Sequence, residues 1–423
     1  MNFGKQLTFG IQHLLAMYTG AILVPLIIGG ALELSETQIT YLIAIDLFMC
    51  GVATLLQVWK GKVFGIGLPV VLGCTFTAVT PIISIGLEFG IGAIYGSIIV
   101  SGLIIVFIAG FFGKIVKFFP PIVTGSVVTI IGISLLPTAL NNVAGGQNSE
   151  TFGDSKHLLL AAITLVVIII VYRFTSGFMR AIAILVGMIA GTIAGLVMGV
   201  TSVDVVKNAD SFHMVEFFYF GKPEFFIEPI IVMTLIGMVS LVESTGVYYA
   251  LSDITKTKID SKDLARGYRS EGLASILGGL FNAFPYTTYS QNVGLVKMTG
   301  VKERSVIFIT GILLIVLGFL PKFAAITQML PTAVLGAAMV AMFGLVITQG
   351  MQMLAPEIAK SAENGLIVAC AIGLGVGVSV VPSVFAGLPE TIGNLLGNGI
   401  VTGSLTAIIL NILFNMIGKK KEA

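Results

Sequence analysis

The sequence predicts an all-α polytopic membrane protein with fourteen transmembrane segments, and three observations carry that reading. Of 423 residues, 56% are hydrophobic and only 10% are charged, against roughly 25% charged in an ordinary soluble domain. The mean hydropathy is +1.03, which leaves too little polar surface to solvate a globule of this size around one core. Apolar stretches recur from near residue 8 to near residue 417, which leaves no room for a large soluble domain. The formal net charge is only +2, so no nucleic-acid footprint is expected.

A helix crosses the hydrocarbon in about 20 residues, and Gly, Pro and charge clusters cut the chain accordingly. The expected segments lie near 9–30, 38–58, 69–84, 92–112, 118–138, 158–173, 181–200, 229–250, 271–283, 286–299, 305–320, 330–348, 364–381 and 398–417. The first thirty residues carry no A-x-A cleavage site and run straight into this series, so insertion by internal spans is expected. Cys50, Cys74 and Cys370 fall inside apolar stretches without CxxC spacing and read as small buried hydrophobes.

Alternating the segments sorts the cations. One side collects Lys5, Lys60, Lys62, Lys114, Lys117, Arg173, Arg180, Lys256, Lys258, Lys262, Arg266, Arg269, Lys297, Lys302, Arg304, Lys360, Lys419, Lys420 and Lys421, leaving Lys156, Lys207, Lys222 and Lys322 opposite. The cationic side, with both termini, is therefore expected to be cytoplasmic in the cell membrane. The run Lys419, Lys420 and Lys421 reads as a stop signal at the last helix end.

The longest polar connections are 141–157, 200–228 and 252–269, and the second divides the chain into seven segments and seven. An odd number per half places related halves upside down relative to each other. One feature recurs in register, a Pro-punctuated segment third in each half. The first reads Leu68-Pro69-Val70-Val71-Leu72-Gly73-Cys74-Thr75-Phe76-Thr77, and the second Phe284-Pro285-Tyr286-Thr287-Thr288-Tyr289-Ser290-Gln291-Asn292. Each opens with Pro and β-favouring residues and then turns small and polar, so each is expected to be a short extended piece followed by a half helix. Such breaks at matching positions point to a midplane site, where free backbone N–H groups meet a ligand.

An ionisable group near the bilayer centre needs a partner or a role. Glu243, in Gly237-Met238-Val239-Ser240-Leu241-Val242-Glu243-Ser244-Thr245-Gly246, suits a proton carrier or an acceptor for a ligand N–H. Glu271 is expected to open the ninth segment, where a helix N-terminus also favours an acid. His13 reads equally as a structural partner between helices and as a ligand contact. Asp46 is expected to be structural, pairing with His13 or capping a backbone break. Gln291 and Asn292 are adjacent amides, each offering donors and acceptors, and Phe76 offers a ring to a planar ligand. The Gly65-Ile66-Gly67 stretch lacks the third glycine of a dinucleotide fingerprint, and neither a Walker sequence nor HExxH occurs. No metal or cofactor is expected, and the absence of a nucleophile–base pair argues against an enzyme.

Gln291-Asn292-Val293-Gly294-Leu295-Val296-Lys297-Met298-Thr299-Gly300 resembles the motif of the nucleobase-ascorbate transporters, the second nucleobase:cation symporter family. The resemblance runs the length of the chain. Gln12-His13 matches the pair of the first segment, Gly73 to Thr77 the broken third segment and Glu243 the acid of the eighth, while Glu271 stands where relatives often have Asp. The chain is most similar to the xanthine and uric acid permeases among them. The resemblance implies seven-plus-seven inverted repeats, with a core domain of 1–112 and 229–320 and a gate domain of 113–228 and 321–423 that forms a homodimer. It implies substrate between the third and tenth segments, bound by Glu243, Gln291 and the backbone near Phe76, with Asn292 holding the half-helix start. His13 and Glu271 would support affinity and proton coupling.

The function implied is import of an oxidised purine by symport with H⁺, xanthine first and uric acid next, with Na⁺ as the alternative ion. Uracil permeases resemble one another in placing Glu where this chain has Gln291, so the amide points to a purine. The alternatives are a uracil permease of the same family and, from another class, a sulfate-type anion transporter of the same architecture, whose substrate a carboxyl at the site would repel. The charge pattern generates the first prediction. A reporter fused after Ala423 will be cytoplasmic and a tag within 141–155 extracellular; labelling of a C-terminal tag from outside intact cells would reverse the topology.

Overall fold

The structure is a computed structural model describing residues 1–115, 120–147, 149–208 and 212–417. Lys117, Lys419, Lys420, Lys421 and Ala423 lie outside the described residues. The first half runs α1 (Phe3–Ala31), α2 (Glu36–Val58), β1 (Leu72–Cys74), α3 (Val79–Phe89), α4 (Ile91–Ile115), α5 (Pro121–Val143), α6 (Ser155–Phe174), α7 (Gly177–Ala181), α8 (Ala183–Val197) and α9 (Asp204–Asn208). The second runs α10 (Ile227–Thr255), α11 (Ser261–Leu280), β2 (Tyr286–Thr288), α12 (Ser290–Thr299), α13 (Arg304–Gly318), α14 (Pro321–Gln328), α15 (Thr332–Ile358), α16 (Ala362–Val380), α17 (Glu390–Gly397) and α18 (Gly399–Asn411).

Helix boundaries follow local chemistry. Asn2 caps α1 by accepting from Lys5 N, Ser35 and Gln38 form a capping box at α2, and Pro121 opens α5 where its missing N–H costs nothing. Among the described residues nine helices are long and apolar enough to cross a membrane: α1, α2, α4, α5, α6, α10, α15, α16 and α18 with its continuation to Met416. The bent pair α13 and α14, at 80°, makes up to ten. Shorter or more polar elements occupy the other expected segments: the apolar helix Phe76–Phe89, α8, α11 and α12.

One expectation needs correcting. The stretch 252–269 is not one polar loop, and Glu271 does not open a helix. α11 starts at Ser261, where Asp260 accepts from Lys262 N and Asp263 N while the Asp263 carboxyl accepts from Asp260 N. The Asp-Ser-Lys-Asp run is a capping box whose charges masked the helix start, and it places Glu271 near the middle of α11.

Helices approach closely where side chains vanish. A Cβ at Gly51 of α2 would stand 2.5 Å from the Gly311 carbonyl of α13, and one at Gly350 of α15 would stand 2.3 Å from Thr129 Oγ1 of α5. Small residues bring backbones together in this way where hydrocarbon supplies no hydrophobic drive between helices. A large buried core extends through α1, α2, α4, α10 and the two strands. A smaller cluster, with Ile122, Leu354, Ile367 and Ala407, joins α5, α15, α16 and α18.

The two broken segments are extended, as expected, and they pair. β1 and β2 run antiparallel with Leu72 opposite Thr288, Gly73 opposite Thr287 and Cys74 opposite Tyr286. The ladder continues through Thr75 N to Pro285 O and Tyr289 N to Val71 O, both 3.0 Å. Each strand then enters a helix, β1 through a 3-10 turn (Phe76–Ala78) into α3 and β2 directly into α12. Thr54 of α2 anchors the outer edge of β1, its Oγ1 accepting from Leu72 N at 3.0 Å and donating to Leu72 O at 3.3 Å.

Thr54→Val keeps the shape and removes both bonds. It strands a buried N–H, so stability will fall by about 1–3 kcal/mol, read as a lower melting temperature in detergent. A melting temperature equal to the parent's would show that Leu72 does not depend on Thr54.

Candidate substrate site

A cavity lies where the two strand–helix junctions meet three long helices. Phe76 and Thr77 line it from the first broken segment, residues 287–291 from the second, Glu243 from α10, Val128 and Ile131 from α5, and Val346 and Gln349 from α15. Its empty volume, counted to where it opens to solvent, is about 440 Å³. Val128, Ile131, Glu243, Val346 and Gln349 all sit near the middle of their helices, so the cavity lies at mid-depth of the bundle.

The polar chemistry converges from one side. α12 begins at Ser290 behind Tyr289, which makes no side-chain cap, so the first N–H groups of the helix and its dipole are available to an acceptor. Gln291, second residue of α12, is exposed to the cavity. Opposite it on α10 the Glu243 carboxyl has no hydrogen-bond or ion-pair partner among the described residues. Phe76 meets Phe343 of α15 edge-on, with ring centroids 5.8 Å apart. The cavity thus offers an acceptor, an amide that both donates and accepts, a helix N-terminus and an aromatic ring. That set matches a planar solute bearing ring N–H and C=O groups.

Glu271 stands behind this wall. It is buried and fully engaged, Oε2 accepting from Ser244 Oγ at 3.0 Å and Oε1 from Tyr248 OH, which itself accepts from Gln57 Nε2. Ser244 carries the link to the cavity, since its Oγ lies 3.0 Å from Thr287 Oγ1 and accepts from Thr288 Oγ1 at 3.1 Å. Asn292 is also behind the wall, 2% exposed, and donates through Nδ2 to His13 O at 2.9 Å and lies 3.1 Å from His13 Nδ1. It ties the start of α12 to α1 and does not line the cavity.

Asp46 does not pair with His13. Its Oδ1 accepts from Tyr286 OH at 2.9 Å, and Cys50 Sγ lies 3.7 Å from its Oδ2, so it fastens β2 to α2. The reason is direction: His13 faces α12, whereas Asp46 faces the strand pair. Sequence reading missed Ser244, Tyr248, Gln57 and Gln349. Ser244 was visible as the neighbour of Glu243, and Gln349 as an isolated amide in an apolar run. Gln57 and Tyr248 had no local signal, because their roles depend on contacts between different helices, 191 residues apart for Gln57 with Tyr248. Among the described residues no group of three or more His, Cys, Asp or Glu is placed to hold a metal ion.

The fold is that of a polytopic helical membrane protein with a cavity at mid-depth of the bundle. Among solved structures the fold is shared with the transmembrane domain of the cyanobacterial bicarbonate transporter BicA, at a TM-score of 0.64 and 18% identity over 91% of this chain and 98% of that one. It is shared too with murine solute carrier 26 family member A9, an anion transporter in its inward-facing state, at a TM-score of 0.67 and 13% identity over 97% and 69%. The sequence is more specific. Residues 4–384 match the permease family model, and the xanthine permease of Bacillus subtilis is 57% identical over 421 residues, 100% of this chain and 96% of that protein. The uric acid permease PucK of the same species is 56% identical over 387 residues, covering 92% and 90%, and the nucleobase transporter PlUacP of Paenibacillus larvae 55% over 422 residues, covering 100% and 97%. The chain belongs to the nucleobase-ascorbate transporter family.

Proposed function

We propose that the protein imports an oxidised purine nucleobase, xanthine or uric acid, across the cell membrane by proton symport with alternating access. The observation that carries this reading is the Glu243 carboxyl, unpartnered among the described residues and facing a mid-depth cavity beside Gln291 and the start of α12. An acid placed so accepts a ring N–H when ionised and takes up a proton when it is not. Gln291 meets an N–H and C=O edge, Phe76 packs on the ring, and Asn292 holds α12 against His13. Glu271 supports coupling through Ser244, and Asp46 keeps the strand pair in place. The names of the relatives support a purine, and a carboxyl at the site disfavours the anions carried by the structural neighbours.

The moving parts in this reading are a core of 1–112 and 229–320 and a gate of 113–228 and 321–423, fourteen segments in two inverted sets of seven, with the gate forming a homodimer and both termini cytoplasmic. The antiparallel pairing of β1 with β2 supports an inverted relation, since each strand ends at a half helix pointing away from the other. A second cleft, of about 850 Å³ and lined by Ala31, Thr80, Asn141, Gln147 and Gln328, opens at the end assigned to the exterior and supports an outward-open entry.

Uptake of radiolabelled xanthine with and without a protonophore, with competition by uric acid, hypoxanthine, guanine and uracil, tests the whole reading; uptake insensitive to the protonophore would remove proton coupling. Glu243→Gln has nearly the same volume, so the protein will still insert, but accumulation against a gradient will be lost. Normal accumulation with the parent's pH dependence would make Glu243 structural.

Gln291→Glu replaces a donor–acceptor pair by acceptors, at a cost of about 1–3 kcal/mol for the stranded carbonyl. Xanthine affinity will therefore fall by roughly 10- to 100-fold, less at acid pH where the new carboxyl regains a donor. Uracil will compete better relative to xanthine. Unchanged xanthine affinity at equal expression would take Gln291 out of the site.

A further inference from the structure

The cavity has two unlike walls. The polar groups described above come from the broken segments and α10, whereas α5 and α15 contribute Val128, Ile131 and Val346. Gln349 is the exception on this second wall among the described residues. Its position is firmly set. The next residue, Gly350, is pressed against α5 so closely that a Cβ would meet Thr129 N at 2.7 Å and Gly125 O at 2.9 Å, which turns residue 349 toward the cavity. Across the gap, Ser290 Oγ donates to Gln349 Oε1 at 3.1 Å. With Oε1 engaged, Nε2 keeps two N–H donors and makes no hydrogen bond to the described residues.

A half-buried amide that lines a cavity with its donors free of protein partners is placed to donate to a carbonyl there. We propose that Gln349 is a specificity-determining residue, donating from Nε2 to a ring carbonyl on the edge of the base that faces away from Glu243. Ser290 is its positioning residue, because the hydroxyl holds the amide with its N–H face inward. This inference rests on the purine reading of the same cavity. It adds that recognition is shared by both walls: one supplies the acceptor for ring N–H and the other the donor for ring C=O. Since Ser290 starts α12 and Gln349 lies on α15, the amide is in place only when those helices are close, so the contact also reports closure on the substrate.

The test is equilibrium binding to purified protein of xanthine, hypoxanthine and 2-hydroxypurine, the last two each lacking one of xanthine's ring carbonyls. Gln349→Met keeps the length and apolar stem of the side chain but has no N–H. It will weaken xanthine about five- to tenfold and leave one of the two single-carbonyl purines within about twofold of its parent value. Ser290→Ala, which leaves the amide intact but unheld, will shift the same selectivity in the same direction by a smaller factor. It also carries the test should Gln349→Met fail to fold. Xanthine affinity within about twofold of the parent in both variants would overturn the assignment, as would an equal loss for all three ligands, the mark of general damage. Parent protein that binds none of the three would overturn the purine reading itself, and this is measured first.

Discussion

Extended backbone at mid-depth of a membrane is tolerated only if its N–H and C=O groups find partners inside the protein. Here the partners are each other. β1 and β2, separated by more than two hundred residues, satisfy one another through a three-residue antiparallel ladder. Neither could remain extended alone. The pairing brings the two strand–helix junctions together, and the cavity lies beside them. The surrounding groups hold the ladder from outside: Thr54 on β1, Asp46 through Tyr286, and Ser244 on Thr287 and Thr288.

The two central carboxyls show how burial divides labour. Glu271 has its oxygens occupied by Ser244 and Tyr248, and Tyr248 passes the connection to Gln57, so its place in the bundle is overdetermined. Glu243 lines the cavity with no such partners among the described residues. Removing a partner from a satisfied buried network costs stability, whereas an open carboxyl leaves free energy to be gained when a ligand or proton arrives. Ser244, adjacent in sequence to Glu243 and bonded to Glu271, places the two arrangements back to back on one helix turn.

Helix packing separates rigid from yielding contacts. α2 with α13 and α5 with α15 meet backbone to backbone at Gly51 and Gly350, leaving no slack for sliding. Between α15 and the broken segments the contacts are side-chain ones, Phe343 on Phe76 and Gln349 on Ser290. Such contacts break and re-form at less cost than the backbone-to-backbone ones.

Much of this was legible in the chain itself. Composition and hydropathy determined a polytopic helical membrane protein, Pro69 and Pro285 marked the two breaks, and Glu243, Gln291 and Phe76 stood out as polar or aromatic residues at the right depth. Their meeting at one cavity follows from the pairing of the two extended pieces, which satisfies backbone that hydrocarbon would leave unpartnered. The start of α11 was hidden, since a capping box made of charged residues looks like loop. The partners of His13 and Asp46 were open to sequence reading only as alternatives, because a side chain's direction around its helix is set by packing. Gln349 was visible only as an isolated amide in an apolar run, and its facing the cavity was not, for the same reason. The sequence by itself determined which residues are costly in a membrane; only the tertiary structure decided which of them were paired and which faced the cavity, because pairing joins positions hundreds of residues apart and no local pattern records it.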